Sequence, residues 1–190
     1  MEQAALLFRA HLCQRTAQEE HEKDARRQEV SVVAEELAGY ASQERRAGDL
    51  AGAIETLQAA LSICESEGST EVTRATYLAQ IGDIQAEEGA YSESLASHLD
   101  AAQLYASQPG FSYEAARSFH SAATASEKLN DPGGAISLLE LSVEQRRLAG
   151  DWTAYGMGSA LESLGTKLAE RDPETARRYL DVAADLHHSQ

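Results

Sequence analysis

Small and large apolar residues recur along the chain with the spacing of one helical face, and the pattern repeats every 41 residues. Each unit has a small residue, a large residue four positions later and a second small residue three positions after that. The four sets are Ala53, Leu57 and Ala60; Ser94, His98 and Ala101; Ala135, Leu139 and Ser142; and Ala176, Leu180 and Ala183. Because offsets of four and three keep side chains on one face, the pattern predicts a packed helix in every unit.

A turn signal precedes each of these helices. The four signals are the dipeptides Gly48-Asp49, Gly89-Ala90, Asn130-Asp131 and Arg171-Asp172. Gly and Asn accept the left-handed conformation that ends a helix, and Asp can cap the helix that follows. Before the turns lie further small residues, namely Ala41, Gly82, Ala123 and, one residue later in phase, Gly165. Small residues allow antiparallel helices to approach closely, so each unit is predicted to be a helical hairpin.

The pattern places helices at 30–47, 51–66, 72–88, 92–107, 112–129, 133–148, 153–169 and 173–188. Residues 2–29 contain no Gly or Pro and predict another helix, with an apolar patch formed by Leu6, Leu7, Phe8 and Leu12. The sequence leaves open whether this helix continues into the first repeat or breaks between residues 21 and 25. We therefore divide the chain into an N-terminal helix, 1–29, that caps or dimerises, and a repeat domain, 30–190.

The repeated pattern resembles the tetratricopeptide repeat (TPR) family. Units of that family carry a Leu-Gly or Leu-Ala pair, a Gly-Asp turn, and then an alanine, a large residue and a second alanine. The fourth unit matches most clearly, with Leu161, Leu164-Gly165, Leu168, Asp172-Pro173, Ala176, Leu180 and Ala183. The usual proline at the end of the second helix is missing, and the period exceeds the common length of about 34 residues. The resemblance implies an all-α, right-handed superhelix of about four antiparallel hairpins.

Composition and charge restrict the fold class and the kinds of partner that we expect. Hydrophobic residues make up 43% of the chain and aromatic residues only 6%, which favours closely packed helices over a β-sandwich. The net charge is −15, and residues 49–190, with 22 acidic and 9 basic residues, carry most of it. Nucleic acids and anionic membranes select clustered Lys and Arg, so we expect neither as a partner, and no stretch is long enough for membrane insertion.

The sequence contains no pattern typical of a catalyst. It lacks a glycine-rich phosphate loop, His-Glu-x-x-His, Cys-x-x-Cys and Gly-x-Ser-x-Gly. We predict that the protein is not an enzyme and that it uses no metal or cofactor. The two cysteines, Cys13 and Cys64, match no metal or redox spacing and favour a reducing, cytoplasmic location. His98 replaces a large packing residue and is either a hydrogen-bonded core histidine or a pH-sensitive group.

The candidate binding surface is the concave side of the repeat array, which the first helix of each unit lines. Repeat phase places nine candidate partner-binding residues there: Ser42, Arg45, Arg46, Thr76, Asp83, Arg117, His120, Thr124 and Lys128. The last four form a basic and polar stripe within an acidic section of the chain. We interpret the stripe as a site for acidic or carboxylate groups of a partner protein or peptide; the alternative is a solvated face.

Two other functions remain open. Residues 112–188 also resemble the soluble NSF-attachment proteins, through Ser112-Tyr113-Glu114, Asp131-Pro132 and Gly150-Asp151-Trp152. That resemblance implies an adaptor in vesicle fusion. The second alternative is a self-assembling scaffold, since both ends of a repeat stack need a cover. Homo-oligomer contacts would then use the N-terminal helix, or the C-terminal helix through Val182, Ala183 and Leu186. A protein-interaction scaffold or adaptor is the favoured prediction.

Overall fold

The computed structural model describes residues 2–66 and 70–188; for residues 2–17, 19, 20, 26, 27, 30 and 31 the description is of the backbone alone. Every regular element in these ranges is helical, which confirms the predicted all-α class. The helices are α1 (Glu2–Ala47), α2 (Leu50–Ser66), α3 (Glu71–Glu88), α4 (Tyr91–Ala106), α5 (Ser112–Lys128), α6 (Pro132–Ala149), α7 (Ser159–Leu168) and α8 (Pro173–His188).

Neighbouring helices pack in chain order. The pairs α1–α2, α3–α4, α5–α6 and α7–α8 form four hairpins, and α2–α3, α4–α5 and α6–α7 join each hairpin to the next. Long-range contacts are thus almost confined to neighbours along the chain, as in a solenoid. The predicted stack of four helical hairpins is confirmed.

The turns inside the first three hairpins share one geometry. Gly48, Gly89 and Asn130 have φ angles of 86°, 81° and 64°, in the left-handed region. In the first turn, the Gly48 N–H donates to the Arg45 carbonyl at 3.1 Å and the Asp49 N–H to the Glu44 carbonyl at 2.9 Å. This pair of bonds satisfies carbonyls that the helix end would leave without donors. The fourth turn has no left-handed residue, because α7 ends in a tighter turn whose bonds converge on the Leu168 carbonyl.

The small residues lie where the helices cross. Ala41, Ala53, Ala123 and Ala135 are all buried. At the second crossing Ser94 takes the place of alanine, and its hydroxyl donates to the Gly82 carbonyl at 2.8 Å. The large position is buried in the first three units, but Leu180 of the fourth is 36% exposed.

The N-terminal helix is continuous with the first repeat, which settles the question that the sequence left open. Helix α1 runs for 46 residues, whereas its partner α2 has only 17. Every described side chain before residue 34 is exposed, and Ala34 is the first buried one. Among the described side chains, burial is therefore confined to the last third of α1. The apolar patch at Leu6, Leu7, Phe8 and Leu12 lies outside the described side chains.

The predicted helix at 153–169 requires a correction, since it begins with a π-helical turn at Ala154–Gly158 rather than with α-helix. The Gly158 N–H donates to the Thr153 carbonyl at 3.0 Å, five residues back. The π-helical turn packs against Asp151. The Asp151 carboxylate accepts a hydrogen bond from the Arg146 guanidinium at 2.6 Å. Gly156 leaves room for that carboxylate, because a Cβ atom there would overlap it. Apart from the boundary at 29–30, which the continuous α1 lacks, all other predicted helix ends agree with the structure to within one residue.

Candidate partner-binding groove

Three adjoining cavities follow the first helices of units two to four. The α3–α5 cavity, of about 180 Å³, adjoins the bridging cavity, of about 260 Å³, and the two share Asp83, His98 and Ser121. The α5–α7 cavity, of about 330 Å³, shares Thr124 with the bridging cavity. Because neighbouring cavities share lining residues, together they form one continuous groove along α3, α5 and α7.

Two residues that line the α3–α5 cavity, Thr76 and Tyr105, are in contact through their hydroxyl groups. The Thr76 hydroxyl donates to the Val72 carbonyl at 2.8 Å, and the Tyr105 hydroxyl lies 2.8 Å from the same Thr76 oxygen. Burial raises the pKa of Tyr105, and the contact with Thr76 opposes that shift. Arg117 stands exposed at the rim of this cavity. Among the ion pairs of the described residues, none includes Arg117, so its guanidinium is available to a ligand.

His98 forms part of the groove floor although it belongs to α4, a second helix. Its side chain is 2% exposed and lines both the α3–α5 and the bridging cavity. The ring fits because Gly82 has no side chain; a Cβ atom there would lie 2.9 Å from the His98 ring. Sequence analysis placed only first helices in the groove and missed His98 as a lining residue. The signal was present in the sequence as a glycine opposite a histidine.

The imidazole of His98 faces a carboxylate. Its Nε2 atom lies 3.5 Å from Asp83 Oδ1, while its Nδ1 atom is buried with no partner among the described residues. Burial lowers the pKa of His98, and the charge of Asp83 opposes that shift. His98 is therefore a neutral, buried group at neutral pH, and the contact with Asp83 is longer than an ordinary hydrogen bond.

The other predicted groove residues of α5 lie in the next two cavities. Thr124 and Lys128 line the bridging cavity, and the Thr124 hydroxyl donates to the His120 carbonyl at 3.1 Å. Lys128 is exposed and takes part in no ion pair within the described ranges. His120 lines the α5–α7 cavity, where burial, and then the positive charge of Arg146, lowers its pKa. The structure thus brings Thr76, Asp83, Arg117, His120, Thr124 and Lys128 together along one groove.

Two further charges of the groove come from α5 and α7. Lys167 Nζ lies 2.6 Å from Glu127 Oε1, so these residues neutralise each other across the α5–α7 cavity. Sequence analysis took its candidates from units one to three and so did not select Lys167.

The three candidates from unit one lie apart from these cavities. The Ser42 hydroxyl donates to the Ala38 carbonyl of its own helix at 2.9 Å. The Arg45 guanidinium forks onto the Glu87 carboxylate, with Nε 3.1 Å from Oε1 and 3.2 Å from Oε2. This ion pair ties α1 to α3. Arg46 is exposed on α1 and lines none of the three cavities.

Metal sites and membrane spans were also predicted to be absent. Among the side chains that the structure describes, no group of three or more His, Cys, Asp and Glu residues is placed to hold a metal ion. In the same part of the chain, no helix combines the length and the apolar character needed to cross a membrane.

Comparisons with known proteins identify the fold. No protein-family model matches the chain, and neither does any curated protein sequence. Among solved structures, BtubC (BKLC) from P. vanneervenii superposes with a TM-score of 0.72 at 16% sequence identity. The match covers 84% of this chain and 65% of BtubC, so the chain spans just under two thirds of that protein.

Two structures of a Podosopora anserina protein, described as a putative kinesin light chain with nearly identical TPR-like repeats, are also similar. One of them, a point variant, superposes with a TM-score of 0.67 at 15% identity, covering 82% of this chain and 75% of the other. The second superposes with a TM-score of 0.65 at 14% identity, covering 93% of this chain and 90% of the other.

These similarities show that the chain has the TPR-like fold, a superhelix of antiparallel helical hairpins. They confirm the predicted fold class and the resemblance to tetratricopeptide repeats. Identities of 14 to 16% carry no information on the partner. The resemblance of residues 112–188 to NSF-attachment proteins has no support in these comparisons and stays a prediction.

Proposed function

We propose that the protein is an interaction scaffold whose groove along α3, α5 and α7 binds a segment of a partner protein. The continuity of the three cavities carries this proposal, since Asp83, His98, Ser121 and Thr124 each line two of them. A continuous, open and polar groove suits an extended peptide or a helix better than a small molecule, which needs an enclosed and mainly apolar pocket.

Arg117 and Lys128 define the chemistry of the partner segment. Both are exposed on α5, and neither is used in an ion pair within the described part of the chain. They stand 11 positions apart, which along a helix is about 16 Å. Two acidic groups of the partner, separated by about five residues if its chain is extended, would reach both cations. A carboxylate paired with Arg gains a two-pronged, charge-assisted hydrogen bond.

Site-directed photocrosslinking in lysate of the source organism tests this function. A photoreactive amino acid at Ser121, inside the groove, is expected to give a discrete adduct with one partner. The same amino acid at Glu140, exposed on α6, is the matched control and should give none. Alanine at both Arg117 and Lys128 is expected to reduce the Ser121 adduct at least tenfold, since each charged contact contributes about 1 kcal/mol or more.

A second double variant controls for the loss of positive charge. Arg147 and Arg178 are exposed on second helices, so alanine at both should leave the adduct unchanged. Equal crosslinking from Ser121 and Glu140, or a Ser121 adduct that survives the loss of Arg117 and Lys128, would refute the proposed groove function.

We also infer that the protein lies in a reducing compartment and catalyses no reaction. Cys64 is a free thiol buried between α2 and the neighbouring helices. In the groove floor His98 Nε2 lies 3.5 Å from Asp83 Oδ1, and the buried His98 Nδ1 has no hydroxyl as a hydrogen-bond partner among the described residues. A cytoplasmic adaptor without catalytic activity is consistent with both features.

A further inference from the structure

The first helix exposes a face that its counterparts bury. Glu36, Tyr40 and Gln43 lie on one side of α1 and are exposed, Tyr40 by 60%. One repeat period of 41 residues further along the chain, the corresponding residues of α3 are Tyr77, Ile81 and Ile84, each no more than 4% exposed. In α3 this face packs on the preceding hairpin, so in α1 it is the open front of the stack.

The last helix exposes the matching opposite face. Arg177, Leu180, Ala184 and His187 lie along α8 and are exposed. Three periods, or 123 residues, earlier are Ile54, Leu57, Leu61 and Cys64 of α2, all of which belong to the first core cluster. Leu180 also packs on Gly165 of α7, and His187 Nε2 lies 3.8 Å from Glu162 Oε2. Among the described elements, only α7 and the π-helical turn of the same hairpin pack substantially on α8, so the outer part of this side is the open back of the stack.

The inner joint shows how the two faces fit. Tyr77, Ile81 and Ile84 share one core cluster with Leu57 and Cys64. Burial raises the pKa of Tyr77 to about 12, and the neighbouring Cys64 adds to that shift. The same fit recurs between units three and four, where Leu139 packs with Leu164.

We propose that the front of one copy packs on the back of a second copy, so that the superhelix continues from chain to chain. If the copies pack as the first two hairpins do, Tyr40 of the incoming copy lies against Leu180 of the copy that is already in place. Glu36 of the incoming copy then lies against His187. These two pairs hold the positions of Ile81 with Leu57 and of Tyr77 with Cys64 in the inner joint, which supports a second copy as the occupant of this face. The contact is heterologous, so each added copy leaves the same front and back open.

The joint between copies is weaker than the joints between repeats. Glu36 stands where α3 has Tyr77, and Arg177 stands where α2 has Ile54, so less apolar surface is buried. The net charge of −15 on each copy also opposes association. We therefore expect reversible assembly that grows with concentration, independent of the groove that the proposed function uses.

Sedimentation velocity on two blocking variants tests the inference. Tyr40→Glu blocks the front and Ala184→Glu blocks the back, and both positions are exposed, so the fold tolerates either change. The wild-type chain is expected to sediment faster as its concentration rises, while each variant alone stays a monomer. An equimolar mixture is expected to form a 1:1 dimer and nothing larger, since the free back of one variant meets the free front of the other.

Matched controls separate the two faces from the rest of the surface. Tyr155→Glu replaces the most exposed tyrosine of the described side chains, and Ala96→Glu replaces an exposed alanine in the middle of α4. Both are expected to assemble like the wild type, and so is Arg117→Glu, which alters only the groove. A wild-type chain that is monomeric at all concentrations, or blocking variants that fail to complement each other, would overturn the inference.

Discussion

One missing side chain determines how far His98 enters the groove. In the first and third units the large residue, Leu57 or Leu139, crosses an alanine. In the second unit Gly82 takes the place of that alanine and leaves room for the imidazole. Gly82 and His98 are therefore coupled, and the effect on stability of replacing one of them depends on which residue stands at the other position.

Gly82→Ala is expected to lower the free energy of unfolding by about 2 kcal/mol, because the new methyl group overlaps the His98 ring. In a His98→Leu background, which restores the combination found in the other units, the same change should be neutral or stabilising. Gly39→Ala is the control, since nothing lies within 4 Å of its Cβ position. It should stabilise by roughly 0.5–1 kcal/mol. Urea unfolding of these variants measures the changes, and a Gly82→Ala cost that persists in the His98→Leu background would contradict the pairing.

A buried ion pair anchors the turn before α7. The side chains of Arg146 and Asp151 are 7% and 9% exposed, and Thr153 donates to the same carboxylate. Burial alone would raise the pKa of Asp151, but its bonds with Thr153 and Arg146 outweigh burial and lower it. The carboxylate thus stabilises the fold at neutral pH. That contribution is lost as the pH falls below the ordinary value of 3.8 and through the lower folded pKa.

Asp151→Asn is expected to cost about 3 kcal/mol at pH 7, since Arg146 keeps its buried charge without a partner. Urea unfolding from neutral pH down to strongly acid pH should show the difference from the wild type shrinking as the carboxylate is protonated. Asp100→Asn, at an exposed position on α4, serves as the control. Its unfolding free energy should follow the same pH dependence as that of the wild type. An Asp151→Asn curve that also runs parallel would show that the carboxylate is not coupled to folding.

At the scale of the element, α1 is a long helix whose described side chains are buried only toward its C-terminal end. Residues 2–29 extend about 40 Å along the helix axis before the hairpin begins. Their described side chains are all exposed, and the partner helix α2 is far shorter. Packing rather than helix propensity provides most of the stability of protein helices, so this segment adds little to the repeat stack.

Removal of residues 1–29 is expected to change the unfolding free energy of the remaining repeats by less than about 1 kcal/mol. Chemical unfolding followed by circular dichroism measures this change and also tests the division of the chain at residue 29. A much larger loss would show that the N-terminal part of α1 packs against the repeats.

Helix ends could be predicted from the sequence wherever the repeat phase and a turn residue agree. Gly48, Gly89 and Asn130 mark left-handed helix ends, and the small residue beyond each turn fixes the register. The π-helical turn at Ala154–Gly158 could not be predicted, because it depends on the Asp151 carboxylate and on the room that Gly156 leaves for it. Neither has a counterpart in the other units.

The groove could be predicted in part. Repeat phase identified the α5 stripe from Arg117 to Lys128, since α5 keeps the 41-residue register. Repeat phase could not predict that Arg45 pairs with Glu87, because this contact depends on how closely α1 approaches α3. It also missed His98, which enters the groove because Gly82 leaves room for its ring, and Lys167, because no candidate was taken from the fourth unit.

At the scale of the whole molecule, the fold separates two kinds of surface. The first helices of units two to four form a continuous polar groove, while the two ends of the stack carry the faces that join repeats to one another. Under the two proposals made above, a partner would lie in the groove and further copies would add at the ends, and neither contact would block the other.

The most direct test of the groove as the partner-binding surface is hydrogen–deuterium exchange of the chain alone and in complex with the partner crosslinked from Ser121. Amides of α3, α5 and α7 are expected to become protected in the complex, with the largest effect between Arg117 and Lys128. Amides of α4 and α6 should exchange at unchanged rates, apart from the turn around His98. Protection centred on α4, α6 or α8 instead would contradict the assignment of partner binding to the groove.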